Sequence, residues 1–273
     1  MELLSLLLGT VLLRPYVFAF LAIYLFVASR QIGWKHTLLW TISGYCVAFA
    51  AEFSSIHGGF PFGDYYYIDT TRNRELWVAG VPFMDSLSFS FLTFTGYSCA
   101  WQFLAAHRAT NGVFSGRAYA ALRRSPAVLL LGTLITTLMD VIIDPVALMG
   151  DRWFLGQIHG WPRGGDYFGV PWTNFAGWFL VTAVTIGLNQ SLDSWLSKPA
   201  VTDQGQSSRV PYIHLGGFLL FVLIVAFNLF MTAWLREWPL FFAGLPLALF
   251  FLLISWLILA RRDFLTAYLS PLS

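Results

Sequence analysis

The sequence predicts an all-α fold. It reads as a polytopic integral membrane helical bundle of about seven (seven or eight) transmembrane helices, one transmembrane domain over 1–273, with an internal helix–loop–helix duplication. Three observations carry that expectation. Hydrophobic residues make up 57% of the 273 positions and charged residues 11%, whereas a soluble domain carries about 25% charge. Several apolar runs approach or exceed the roughly 20 residues needed to cross a bilayer. Two loops rich in glycine, proline and aromatics, about a hundred residues apart, repeat the same residues in the same order.

The expected spans are Leu3–Val27, Thr37–Phe53, Met84–Ala106, Ala127–Met149, Trp172–Leu188, Ile213–Trp234 and Leu240–Ala260. The first contains "LRPY", which places Arg14 and Pro15 in its middle. A short Leu3–Leu13 segment on or dipping into the membrane, then a span from Pro15, is the alternative, and a proline at an early helical position suits it. The first run lacks a clear small-residue cleavage site and reads as a retained helix or anchor. Cys46 and Cys99 both fall inside apolar runs, where thiols behave as small hydrophobes rather than disulfide partners.

Seven spans divide the basic residues unevenly. Arg30, Lys35, Arg108, Arg117, Arg123, Arg124, Lys198, Arg209, Arg261 and Arg262 fall on one side; Arg14, Arg72, Arg74, Arg152, Arg163 and Arg236 fall on the other. The positive-inside rule then predicts a cytoplasmic C-terminus in the cell (inner) membrane and puts both echo loops outside. The net charge of +2 is scattered and forms no nucleic-acid surface. His107–Pro126 suits a short arginine-rich interfacial helix, and Asn189–Pro211 reads as a flexible connection.

The echo is the sequence's most specific feature. At an offset of 102, Ile56, His57, Gly58, Gly63, Asp64 and Tyr65 meet Ile158, His159, Gly160, Gly165, Asp166 and Tyr167. Then "GVPFMD" meets "GVPWTN" at a smaller offset, pairing Val81 with Val170, Pro82 with Pro171 and Asp85 with Asn174. Repeat units at 37–106 and 127–190 account for this, because parallel repeats are a known membrane architecture. Two such loops side by side would roof a cavity, since irregular backbone at membrane depth needs protein or a water-lined cavity to satisfy it. The alternative is a pair of interfacial caps whose Trp and Tyr sit at headgroup depth.

Four carboxylates lie in or at the edge of spans: Glu52, Asp85, Asp140 and Asp144. Intramembrane acids are costly and face a bundle interior or a wet cavity. In "LMDVIIDPV" Asp140 and Asp144 stand four apart, on one helix face, and Pro145 is expected to kink or end the helix. Two apposed carboxyls in an apolar site repel and lose solvation, so one can keep its proton and serve as a general acid. Helix-to-helix hydrogen bonding and a salt bridge to an arginine such as Arg14 are the rival roles. His57 and His159 come without the HxxxH or HxxHH pairings of membrane di-iron oxygenases, which argues against a metal and against hydroxylation by oxygen. No nucleotide loop, CxxC or GxSxG elbow is present.

The combination "HGGFPFGDYYY", "GVPFMDSLSF", "DVIIDPVA" and "GVPWTNFAGW" resembles the CruF-type membrane carotenoid hydratases, also called carotenoid biosynthesis or bisanhydrobacterioruberin hydratase proteins. The resemblance runs from about Trp40 to Ala260. It implies cofactor-independent addition of water to the terminal double bond of an acyclic ψ-end group, on lycopene, γ-carotene or a related C40 or C50 carotenoid. Its implied partners are that hydrophobic substrate, water, membrane lipids and other enzymes acting on the same pigment.

Hydration needs a proton at carbon 2 and water at the resulting cationic carbon 1. Asp144 or Asp140 is the first-choice donor, then Glu52, while Asp85, His57 or His159 would hold the water and take its proton. The rings of Tyr65, Tyr66, Trp77, Trp161, Tyr167 and Trp172, with Asn174, are the expected substrate contacts, since desolvated cation–π contacts reach about 2 kcal/mol. A carotene cyclase or isomerase would share the cation. A small lipid or proton-coupled transporter would share the repeats and the acids, and a noncatalytic scaffold would not need the acids at all.

Overall fold

The computed structural model describes residues 2–108, 116–153, 156, 158–196 and 215–259. Its helices are α1 (Glu2–Leu13), α2 (Pro15–Gln31), α3 (Trp34–Gly58), α4 (Phe83–Arg108), α5 (Gly116–Arg123), α6 (Pro126–Ala147), α7 (Trp172–Leu196), α8 (Gly216–Trp234) and α9 (Trp238–Leu259). Four two-residue strands lie in the connections: β1 (Tyr66–Tyr67), β2 (Trp77–Val78), β3 (Val81–Pro82) and β4 (His159–Gly160). The all-α membrane architecture is therefore as expected.

Local sequence sets the helix ends. Pro15 and Pro126 open α2 and α6, where a missing N–H costs nothing. The Ser125 side chain caps α6 by accepting from the Val128 N–H at 3.3 Å. Pro145 is followed by only two more helical residues, so α6 ends where a proline was expected to disturb it. Between α1 and α2 the chain turns by 90° at Arg14, so the first run is broken before Pro15, as the alternative required. The expected helix within His107–Pro126 is α5. The connection 197–214, with Lys198 and Arg209, and the residues from 260 on, with Arg261 and Arg262, lie outside the described residues.

Of the seven expected spans, α6, α7, α8 and α9 are long and apolar enough to cross a membrane, and the bent α1–α2 pair counts as a fifth. α3 and α4 have 25 and 26 residues, or about 38 Å at 1.5 Å per residue. Their composition sets them apart: Glu52, Ser55, Ser86, Ser90, Thr93 and Thr95 are buried along them. Polar residues turned inward lower the apolarity of a helix without exposing anything polar to lipid.

Four helices close a ring, α4 against α3 and α6, and α7 against α6 and α3. Small residues allow the close crossings. A Cβ on Gly96 of α4 would lie 2.5 Å from the Gly132 carbonyl of α6. α2, α8 and α9 pack on the outside of this ring. Arg14 at the α1–α2 bend meets Glu75 in a two-point ion pair, Nη2 to Oε1 at 3.0 Å and Nε to Oε2 at 3.2 Å. Both side chains are buried, so the salt-bridge partner of Arg14 is Glu75 and not one of the intramembrane acids.

The two echo loops meet at one end of the bundle. β1 and β4 pair antiparallel, Tyr66 opposite Gly160 and Tyr67 opposite His159. The second halves of the echo share a local geometry. Ala79–Gly80 and Phe168–Gly169 both have positive φ at two successive residues, the two-residue turn that closes tight hairpins. Each turn leads through Val-Pro into a helix, α4 or α7. The first halves do not match in form: His57 lies in the last turn of α3, whereas His159 lies on β4.

Candidate active site

The closed ring buries its acids beneath the paired loops. Glu52 reaches inward from α3, Asp85 from the first turn of α4, and Asp144 from the last turn of α6. Asn174 occupies in α7 the third-residue position that Asp85 occupies in α4. With His159 these groups bound a polar chamber of about 40 Å³, whose remaining walls are Phe62, Tyr65, Tyr67, Phe89, Trp161 and Trp178.

A second cavity, about 100 Å³, adjoins the chamber. It is an apolar slot between α2, α4, α6 and α8, walled by Tyr16, Phe20, Met84, Phe91, Ile143 and Phe227 among others. Asp85, Asp144, His159 and Trp178 line both spaces. They form the seam between the acid-lined chamber and the apolar slot.

Hydrogen bonds fix the acids. The Asn174 amide donates to Asp144 Oδ2 at 2.5 Å and to Asp140 Oδ2 at 3.1 Å, which uses both of its hydrogens. Ser86 donates to Glu52. The Tyr67 hydroxyl donates to Asp85 Oδ2 at 2.8 Å and itself accepts from Tyr65 at 3.1 Å. Among the described residues the salt bridges involve Glu75, Asp193 and Glu237. Among the described residues none of the four intramembrane acids forms a salt bridge; neutral donors, Asn174, Ser86 and Tyr67, meet them instead.

The loop groups respond to burial. Burial holds the His159 imidazole below its ordinary value, against the opposing pull of the Asp144 carboxyl, so it is neutral near pH 7. Burial first, then Asp85 and Glu52, pushes the Tyr67 phenol up, and burial with Glu52 does the same to Tyr65. Both stay neutral donors. Phe89 and Trp178 stack at 3.9 Å between ring centroids beside the seam.

The structure brings together Glu52, Asp85, Asp144, His159, Asn174, Tyr65 and Trp161 of the residues singled out by sequence. Asp140 is only 1% exposed but lines neither cavity; it stands behind Asn174 with Oδ1 unpartnered. His57 is exposed, bonds the Phe53 carbonyl of its own helix and does not reach the chamber. Tyr66 and Trp172 face outward, 47% and 62% exposed. Trp77 packs against Tyr67 from behind and Tyr167 against Trp172 and Phe175, all off the cavity. Sequence reasoning missed Tyr67, Phe62, Phe89 and Trp178. The signal for Tyr67 was available: in extended "YYY" alternate side chains share a face, so an inward Tyr65 brings Tyr67 with it.

A family model described as carotenoid biosynthesis protein matches residues 3–251. A bisanhydrobacterioruberin hydratase of Haloarcula japonica is 28% identical over 141 residues, 51% of this chain and 40% of that protein. The matched stretch thus spans well under half of that relative's length. No solved structure matches the chain. With nearly its whole length covered by the family model, the chain belongs to the carotenoid biosynthesis protein family.

Proposed function

We propose that the protein is a carotenoid 1,2-hydratase, adding water across the terminal double bond of an acyclic ψ-end group without a cofactor. The observation that carries this reading is the seam. An apolar slot shares Asp85, Asp144, His159 and Trp178 with an acid-lined chamber of about 40 Å³, and a water needs roughly 10–15 Å³ measured that way. A cyclase guiding the same cation would need room for a ring there and no compartment for water. The family match and the name of the Haloarcula japonica relative support carotenoid chemistry.

In this mechanism the slot holds the isopropylidene end against the seam. The Asp144 carboxyl gives its proton to carbon 2, leaving the positive charge on tertiary carbon 1. The Phe89–Trp178 stack and Tyr65 offer ring faces to that charge. A water held in the chamber by Glu52 and His159 attacks carbon 1. Its proton passes to the neutral His159 imidazole, and from there back to the Asp144 carboxylate, so no proton is consumed overall.

We further propose that α3 and α4 are spans, which with the bent first pair gives seven, and that 37–106 and 127–190 are repeat units. The shared Ala79–Gly80 and Phe168–Gly169 turns support the repeat. The charge distribution supports a cytoplasmic C-terminus in the cell membrane. Expression in a lycopene-producing host, with mass analysis of the pigments, tests the function. A pigment heavier by one water is expected, or by two if both ends react; unchanged lycopene despite folded protein overturns the reading.

A further inference from the structure

We propose that Tyr67, backed by Tyr65, is a positioning residue that holds Asp85 as the fixed negative charge facing the carbocation; this rests on the hydration reading above. Extended backbone sends Tyr65 and Tyr67 to the inner face of the loop and Tyr66 outward, and the β1–β4 register sets Tyr67 beside His159. Each phenol has one proton to give. Tyr65 gives its proton to the Tyr67 oxygen and Tyr67 gives its own to Asp85 Oδ2. A chain of donors pointing one way ends on an acceptor, and here that acceptor is Asp85 Oδ2, the position a carboxylate fills best.

Packing holds this chain in place. Tyr67 sits edge-on between Tyr65 at 5.2 Å and Trp77 at 5.9 Å. Asp85 itself lies in the first turn of α4, the positive end of a helix dipole, and borders both chamber and slot. The corresponding position in α7 is Asn174, whose amide orients Asp144 instead. One half of the site thus presents an acid able to give a proton, and the other a carboxylate aimed by tyrosines. Preorganised charge placed where positive charge develops acts without reorganisation during the reaction.

The test uses full-length Tyr67→Phe, Tyr65→Phe, Asp85→Asn and Tyr67→Phe/Asp85→Asn in detergent, with lycopene as probe in heavy water. Hydration and deuterium wash-in to recovered lycopene are both measured. Tyr67→Phe is expected to lower kcat about ten- to a hundredfold, the range for losing a hydrogen bond to a charged group, with KM unchanged. Tyr65→Phe should cost less than about tenfold. Wash-in should fall in step with hydration, because cation formation precedes both, and Tyr67→Phe should add nothing in the Asp85→Asn background. Unchanged kcat in Tyr67→Phe, losses that multiply in the double variant, or wash-in rising relative to hydration would each overturn the proposal; the last would make Tyr67 a residue that orders water. If Tyr67→Phe does not fold, the same comparison is made with Tyr65→Phe and Tyr65→Phe/Asp85→Asn. Wild-type protein showing neither hydration nor wash-in would instead overturn the hydration reading itself.

Discussion

Exchanging Asp144 for asparagine removes one proton and almost no volume. The new amide oxygen can still accept from Asn174, which now bonds Asp144 at 2.5 Å, so the chamber keeps its walls. What is lost is the proposed proton donor. General acid catalysis contributes about 10²- to 10⁴-fold, or about 3–5 kcal/mol of barrier at 1.36 kcal/mol per decade. Asp140→Asn makes the control. Asp140 touches neither cavity and is joined to Asp144 through the same Asn174 amide. Its loss disturbs its hydrogen bonds to Asn174 and to Asp144, about 0.5–1.5 kcal/mol each, and so about a hundredfold in rate at most. Initial rates of hydrated carotenoid formation by purified protein, normalised to folded protein, give both numbers. Equal losses would move the donor to Asp140, and wild-type turnover by Asp144→Asn would refute the assignment of Asp144.

Other substitutions read other parts of the structure. Because burial lowers the His159 pKa below 6.5, the rate should fall as pH drops through the His159 titration and level off above about 6.5; His159→Gln should lose that limb. The same shift leaves the unfolded chain binding more protons just below pH 6.5, so wild-type stability should decline on acidification through that window, as thermal unfolding at stepped pH would record. Arg14→Met strands the buried Glu75 carboxylate and should cost about 3–5 kcal/mol, with Arg14→Met/Glu75→Leu recovering most of it in the same melts. His57→Ala and Trp172→Phe change exposed residues and should leave hydration within about twofold, the effect of roughly 0.5 kcal/mol.

Much of the site was legible because its chemistry is expensive. Glu52, Asp85 and Asp144 stand out in apolar runs, and no lipid-facing role explains a carboxylate there. The echo pointed to two loops meeting on one face, and the β1–β4 pairing shows them meeting. The echo misled on His57, because a shared tripeptide does not fix its backbone: one "IHG" closes a helix and the other enters a strand. Aromatic residues were least legible. Phe89 and Trp178 look like any apolar helix positions until α4 and α7 bring them into a stack, while the conspicuous Trp172 turns outward. α3 and α4 looked like ordinary spans by length, but their buried serines and threonines line the interior in which the site sits.

The most direct test supplies purified protein in detergent with lycopene and ¹⁸O-labelled water, with no ion gradient, flavin or nicotinamide added, and in parallel with ordinary water under ¹⁸O-labelled oxygen gas. Hydration at the seam predicts a tertiary alcohol labelled from water and unlabelled from the gas. Label arriving from the gas, or no conversion by folded protein, would contradict it.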